Sequence, residues 1–105
     1  MKKFGVIVLI AVSISACSWV TLTPEGRKTR VATAAEVSGC RKVGLTTSTT
    51  KAVVAGFERN EDRVKEELQF LARNAAPDLG GDTVVPVGAP RDGRQTFDVY
   101  RCGGP

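Results

Sequence analysis

Asn60-Glu61-Asp62-Arg63-Val64-Lys65-Glu66-Glu67-Leu68-Gln69-Phe70-Leu71-Ala72-Arg73-Asn74-Ala75-Ala76-Pro77 carries the strongest periodic signal in the chain. Val64, Leu68, Leu71, Ala72 and Ala75 recur at spacings that place them on one face of an α-helix. Asn60 suits the N-cap, because its side-chain oxygen can accept from a free backbone N–H of the first turn. Glu61 and Asp62 follow in that turn, where the helix dipole favours negative charge. Arg63, Glu66, Glu67 and Arg73 are assigned to the remaining helix surface. Arg63 and Glu67, four residues apart, are expected to form an attractive pair. Pro77 and then Leu79-Gly80-Gly81 end the helix.

The flanking segments read as strands. Before the helix, Val31, Thr33, Ala35 and Val37 alternate with Arg30, Ala32, Ala34 and Glu36 from Thr29 onward, which predicts a strand broken by Ser38-Gly39. A second strand is expected over Lys42 to Thr49. Its Thr46-Thr47-Ser48-Thr49-Thr50 run is β-prone but polar, and suits an edge strand or loop. After the helix, Thr83-Val84-Val85-Pro86-Val87 reads as a short strand. Pro86 lacks an N–H and argues for an edge or a strand end. Pro90-Arg91-Asp92-Gly93 is a hairpin turn signal. The last strand is expected over Gln95–Cys102, with Phe97, Val99 and Arg101 on one side and Thr96, Asp98, Tyr100 and Cys102 on the other. The order β-β-α-β-β defines the α+β class: a small sheet with one helix packed on one face.

Lys2 and Lys3 head an apolar stretch from Phe4 to Ala16. As a helix that stretch reaches about 20 Å, short of the roughly 30 Å hydrocarbon core of a bilayer. A cleaved signal over residues 1–16 is therefore expected rather than a permanent anchor. Ile14-Ser15-Ala16-Cys17 resembles the lipobox of bacterial lipoproteins: a branched aliphatic residue, two small residues, then Cys. The resemblance implies cleavage before Cys17 and attachment of lipid to its thiol. It also implies an address. Ser18 is not the Asp that retains Gram-negative lipoproteins in the inner membrane, so the expected site is the outer membrane, facing the periplasm. Residues 17–28 then serve as lipidated Cys and short tether, and residues 29–105 as a single α+β domain. Thr23-Pro24-Glu25-Gly26 within the tether reads as a turn.

The chain has three Cys. With Cys17 given to lipid, Cys40 and Cys102 are left as a pair, and an oxidising envelope favours one disulfide between them. Two free thiols in a redox or metal site are the rival reading, although no Cys-x-x-Cys spacing is present. A domain this small needs such a staple, because its core alone gives marginal stability.

Chemistry is sparsely signalled. The chain contains no His, which removes the commonest general base and the commonest metal ligand. The net charge of +4 falls further when Lys2 and Lys3 leave, too little to argue for nucleic acid. Arg27, Lys28 and Arg30 form a basic run, read as a solvated segment near a membrane. The carboxylates Glu61, Asp62, Glu66 and Glu67 are read as a solvated helix face, and Asp78, Asp82 and Asp92 as turn residues. No catalytic residue, metal site or cofactor is expected. The function expected is a non-enzymatic envelope module that binds another envelope protein or a cell-wall component.

Two further stretches carry a resemblance. Leu22-Thr23-Pro24-Glu25-Gly26, and Ala72-Arg73-Asn74-Ala75-Ala76 with Leu79-Gly80-Gly81-Asp82-Thr83-Val84-Val85, resemble the opening and the helix-to-strand joint of small uncharacterised Gram-negative lipoproteins. Those proteins also place one Cys before the second strand and one at the end of the last, as Cys40 and Cys102 stand here. More distantly the pattern is similar to the Rcs envelope-stress sensor lipoprotein and the YbjQ-like fold, which implies stress sensing as the alternative role.

Overall fold

The computed structural model describes residues 20–103. The signal at 1–16, Cys17 and Ser18 lie outside the described residues. The chain is α+β. Elements follow in the order α1 (Pro24–Arg27), β1 (Arg30–Val31), a 3-10 turn at Ala35–Val37, β2 (Arg41–Thr49), β3 (Val53–Val54), β4 (Phe57–Glu58), α2 (Glu61–Ala75), a 3-10 turn at Ala76–Leu79, β5 (Thr83–Pro86) and β6 (Arg94–Arg101). The main sheet has four strands in the order β1-β5-β6-β2, with β3-β4 as a separate two-stranded hairpin. β1 runs parallel to β5, and the β5–β6 and β6–β2 pairs are antiparallel.

The helix forms where its periodicity places it. Asn60 caps it by accepting from the Arg63 N–H at 3.1 Å, which satisfies one of the four donors that an α-helix leaves unpaired at its start. Val64, Leu68 and Ala72 are buried against Val84, Phe97 and Val99 of β5 and β6, and Val31 and Val43 close the edges of this core. Ala76 extends the same face into the 3-10 turn. Gly80 then takes a left-handed φ of 83° and ends the turn, a conformation that costs glycine little. Gly81 lies so close to Val43, Val99 and the Tyr100 carbonyl that a Cβ would collide with them. The joint from helix to sheet is therefore drawn tight by two adjacent glycines with different duties.

Strand β2 is an edge strand, as its threonines suggest, and Pro86 closes β5 where its missing N–H costs no interior ladder bond. Two expectations are corrected. The stretch 29–37 is not one strand. Only Arg30–Val31 pairs as strand, and the Ala32 N–H bonds to the Val84 carbonyl before the chain turns. The cause is a reciprocal cap: the Thr33 N–H donates to Glu36 Oε1 at 2.8 Å, and the Glu36 N–H donates to Thr33 Oγ1 at 3.4 Å. Ser/Thr-x-x-Glu is a helix-start signature, and it prevails over an alternation weakened by alanine. The second correction is the β3–β4 hairpin, which the sequence reading does not foresee. Its turn residues Ala55 and Gly56 both have positive φ, 52° and 85°, as a tight two-residue hairpin turn requires.

The far face of the sheet is also partly covered. Ala32, Val37 and Val85 form a second buried cluster with Cys40, Tyr100 and Cys102 against it. Cys40 and Cys102 are joined by a disulfide, with their Cα atoms 4.6 Å apart. The bond fastens the segment after β1 onto the side of the sheet opposite the helix.

Candidate functional site

The segment expected to serve as a tether divides in two. Its first residues lie outside the described part, whereas Thr21 to Lys28 are held against the end of α2. Thr23 caps α1 by accepting from the Gly26 N–H at 2.9 Å, and Pro24 occupies the first turn, where its missing N–H costs nothing. Asn74 receives the Thr23 N–H at 2.9 Å and the Thr23 hydroxyl at 3.1 Å, and donates to the Thr21 carbonyl at 2.8 Å. Arg73 Nε donates to the Thr29 carbonyl at 2.6 Å and the Gly26 carbonyl at 3.2 Å. Gly26 is buried, and a Cβ there would run into Asn74 Oδ1. The two stretches that carry the family resemblance, Leu22–Gly26 and Ala72–Ala76, therefore meet in space and hold each other.

At the other end of α2 sits a polar cluster that corrects the reading of Glu67 as a surface residue. Glu67 is 3% exposed. Arg59 grips it with both guanidinium nitrogens, Nη2 to Oε2 at 2.7 Å and Nη1 to Oε1 at 2.9 Å. The Thr50 hydroxyl donates to the same carboxylate at 3.0 Å. Hydrogen bonds from Arg59 hold the Glu67 carboxyl below its ordinary range; burial acts the other way, and Thr50 adds to the lowering. The same pairing raises Arg59. Arg63, the expected partner, instead stands 3.9 Å from Glu66 in an exposed contact, which contributes little. A signal for the burial of Glu67, though not for its partner, was present in the sequence. Val64, Glu67, Leu68 and Leu71 fall at i, i+3, i+4 and i+7, so the carboxylate interrupts the apolar face and demands a cation.

Arg59 follows β4 directly, and the pair fixes the β3–β4 hairpin to the helix start. The hairpin carries exposed apolar side chains: Phe57 is 77% exposed, and Val53 and Val54 stand out beside it. A cleft of about 490 Å³ opens between the hairpin, the first turns of α2 and the Ala89–Gly93 segment. Val53 and Val64 give it apolar wall, and Glu58, Glu61, Asp62 and Asp92 border it with exposed carboxylates. Such an arrangement can hold a partner by apolar contact and hydrogen bonding. Among the described residues no group of three or more Cys, Asp or Glu side chains converges to hold a metal ion, and no helix is long and apolar enough to cross a membrane.

Around the disulfide, Asp82 does more than favour a turn. Its carboxylate accepts from the Cys102 N–H at 2.9 Å, the Gly103 N–H at 2.8 Å and the Thr83 hydroxyl at 2.9 Å. Burial pushes the Asp82 carboxyl up, but the two backbone donors and Thr83 together bring it below its ordinary value. The basic residues Arg27, Lys28 and Arg30 are exposed.

These features describe a small α+β domain with one disulfide, a docked N-terminal turn and an apolar-tipped hairpin. The chain belongs to the family described as Domain of unknown function (DUF4156), whose model matches residues 20–102. The match opens where the docked segment begins and closes on Cys102. No curated protein and no solved structure matches the chain.

Proposed function

We propose that this chain is a lipid-anchored protein of the bacterial envelope whose domain acts as a non-enzymatic interaction module. The observation that carries the reading is the distribution of its thiols. Of three cysteines, Cys40 and Cys102 are bonded to each other, and the third, Cys17, ends the lipobox-like run Ile14-Ser15-Ala16-Cys17. A disulfide in a domain this small also suits an oxidising compartment. Each buried methylene of an acyl chain adds about 0.8 kcal/mol to membrane attachment, and two or more chains make it durable. Ser18 favours the outer membrane, periplasm-facing. The exposed Val53, Val54 and Phe57 on a firmly held hairpin support a partner-binding role, with another envelope protein or a cell-wall component as the partner class.

Labelling cells with a clickable palmitate analogue tests the anchor. The wild-type chain takes up label and Cys17→Ser does not; label retained by Cys17→Ser refutes the anchor. A photo-crosslinking residue at position 57 tests the interaction role, with a discrete adduct expected from envelope fractions and none when Val54→Asp is added to the same crosslinking variant. The alternative, envelope-stress sensing, rests on the distant resemblance to the Rcs sensor. A deletion strain with normal stress-reporter induction after outer-membrane damage rules it out.

A further inference from the structure

The two edges of the main sheet are unlike. β1 is two residues long, begins with Arg30 and turns away at once into the Thr33–Glu36 cap, which are common ways of blunting an edge. β2 is nine residues long and has a ladder partner on one side only. Its defences sit at one end, where Arg41, Lys42 and the bulge between Lys42 and Gly44 lie. From Val43 to Thr50 the sequence has no charged residue and no proline. The phase of the ladder is fixed by the Thr50 N–H, which donates to the Gly93 carbonyl at 2.8 Å. Antiparallel strands alternate their bonding direction, so Ser48, Thr46 and Gly44 also bond toward β6. The N–H and C=O groups of Leu45, Thr47 and Thr49 then point outward. Leu45 is 56% exposed beside them.

We propose that this edge pairs with the β2 edge of a second copy of the chain, antiparallel and centred on Thr47. A two-fold axis at Thr47 sets Thr47 against Thr47 and Leu45 against Thr49 of the second copy, so all the outward groups of the run find partners. Threonine hydroxyls donate and accept equally well, which suits a strand facing itself. Charge selects the direction. A parallel pair would stack Arg41 on Arg41 and Lys42 on Lys42, whereas the antiparallel register puts these two ends about 40 Å apart and leaves near each only the single Lys51 that follows the run in the other copy. The result is one continuous eight-stranded sheet built from two four-stranded ones, with Leu45 covered at the seam.

The test uses the full chain purified in mild detergent. Opposed Cα atoms in paired strands lie within disulfide range, so Thr47→Cys should give a reductant-sensitive dimer at least about tenfold faster than Lys65→Cys on the exposed helix surface, because the pairing holds the two thiols together. Thr47→Lys, shown folded by circular dichroism, should sediment as a monomer where the wild type sediments as a dimer. Equal crosslinking rates for the Thr47→Cys and Lys65→Cys variants, or a wild type monomeric at every concentration, overturns the proposal. Capture of a different protein by the Thr47→Cys variant overturns it as well, in favour of a foreign strand at this edge. If Thr47→Lys does not fold, the crosslinking comparison still decides.

Discussion

Glu67 shows what a single carboxylate does when burial and pairing oppose each other. Its side chain is almost sealed from solvent and is gripped by Arg59 and Thr50. Replacing one member of a buried pair strands the other, so Glu67→Ala should destabilise the domain by about 3–4 kcal/mol in urea unfolding. The pH dependence follows from the lowered carboxyl of Glu67 and the lowered carboxyl of Asp82. An acid that ionises more easily when folded contributes its stability fully above its unfolded pKa, about 4 for these side chains. That contribution is lost as pH falls through the lower native value. Unfolding midpoints should therefore hold steady from pH 7 to about pH 5 and drop steeply below about pH 4. In the Glu67→Gln variant the acid drop should shrink, and an undiminished drop would show that other groups govern it. The apolar face of the helix was legible because its residues repeat in register. The pairing was not, because Arg59 lies before the helix and reaches Glu67 only once the hairpin has formed.

The helix α2 and strand β6 could be read almost to their ends, since each carries a period and a clear stop. The segments that escaped are those decided by two or three residues. Thr33 and Glu36 turn an alternating stretch into a capped turn, and Ala55 occupies a position where turn chemistry usually shows Asn or Asp. The docking of α1 on α2 is likewise decided by few atoms. Asn74 fills the space that Gly26 leaves open. Gly26→Ala should cost about 1–2 kcal/mol by displacing that side chain, and Asn74→Ala about 1–2 kcal/mol by removing its hydrogen bonds. In the double variant the alanine at position 26 has room, so the two losses should fall short of additive by about 1 kcal/mol. Strict additivity in a double-mutant cycle would mean that the two positions do not act through each other. The pairing of these two motifs had no local sign in the sequence, because they are separated by most of the domain.

For the whole molecule, the disulfide divides the chain into a closed loop and a short lead. The residues it joins are 62 apart in sequence, and loop closure of that size is worth about 4 kcal/mol in the chain-entropy account. Reduction, or the Cys40→Ser, Cys102→Ser double variant, should lower unfolding free energy by about 2–5 kcal/mol; a change below about 1 kcal/mol would show that the second cluster holds without it. The pairing was legible by counting cysteines, while its placement on the face opposite the helix depends on tertiary structure. The same division sets how the domain bears load. A pull on its N-terminal end falls first on the Asn74 hydrogen bonds, then on the Arg73 contacts and the short β1 ladder. Once these yield, residues 20 to 40 can straighten to a total length of about 70 Å, and there the extension stops at a covalent bond. Beneath that extensible lead, the loop that contains the hairpin, the helix and the open edge of β2 cannot be drawn out, so strain on the lead is absorbed before it reaches the surfaces that a partner would meet.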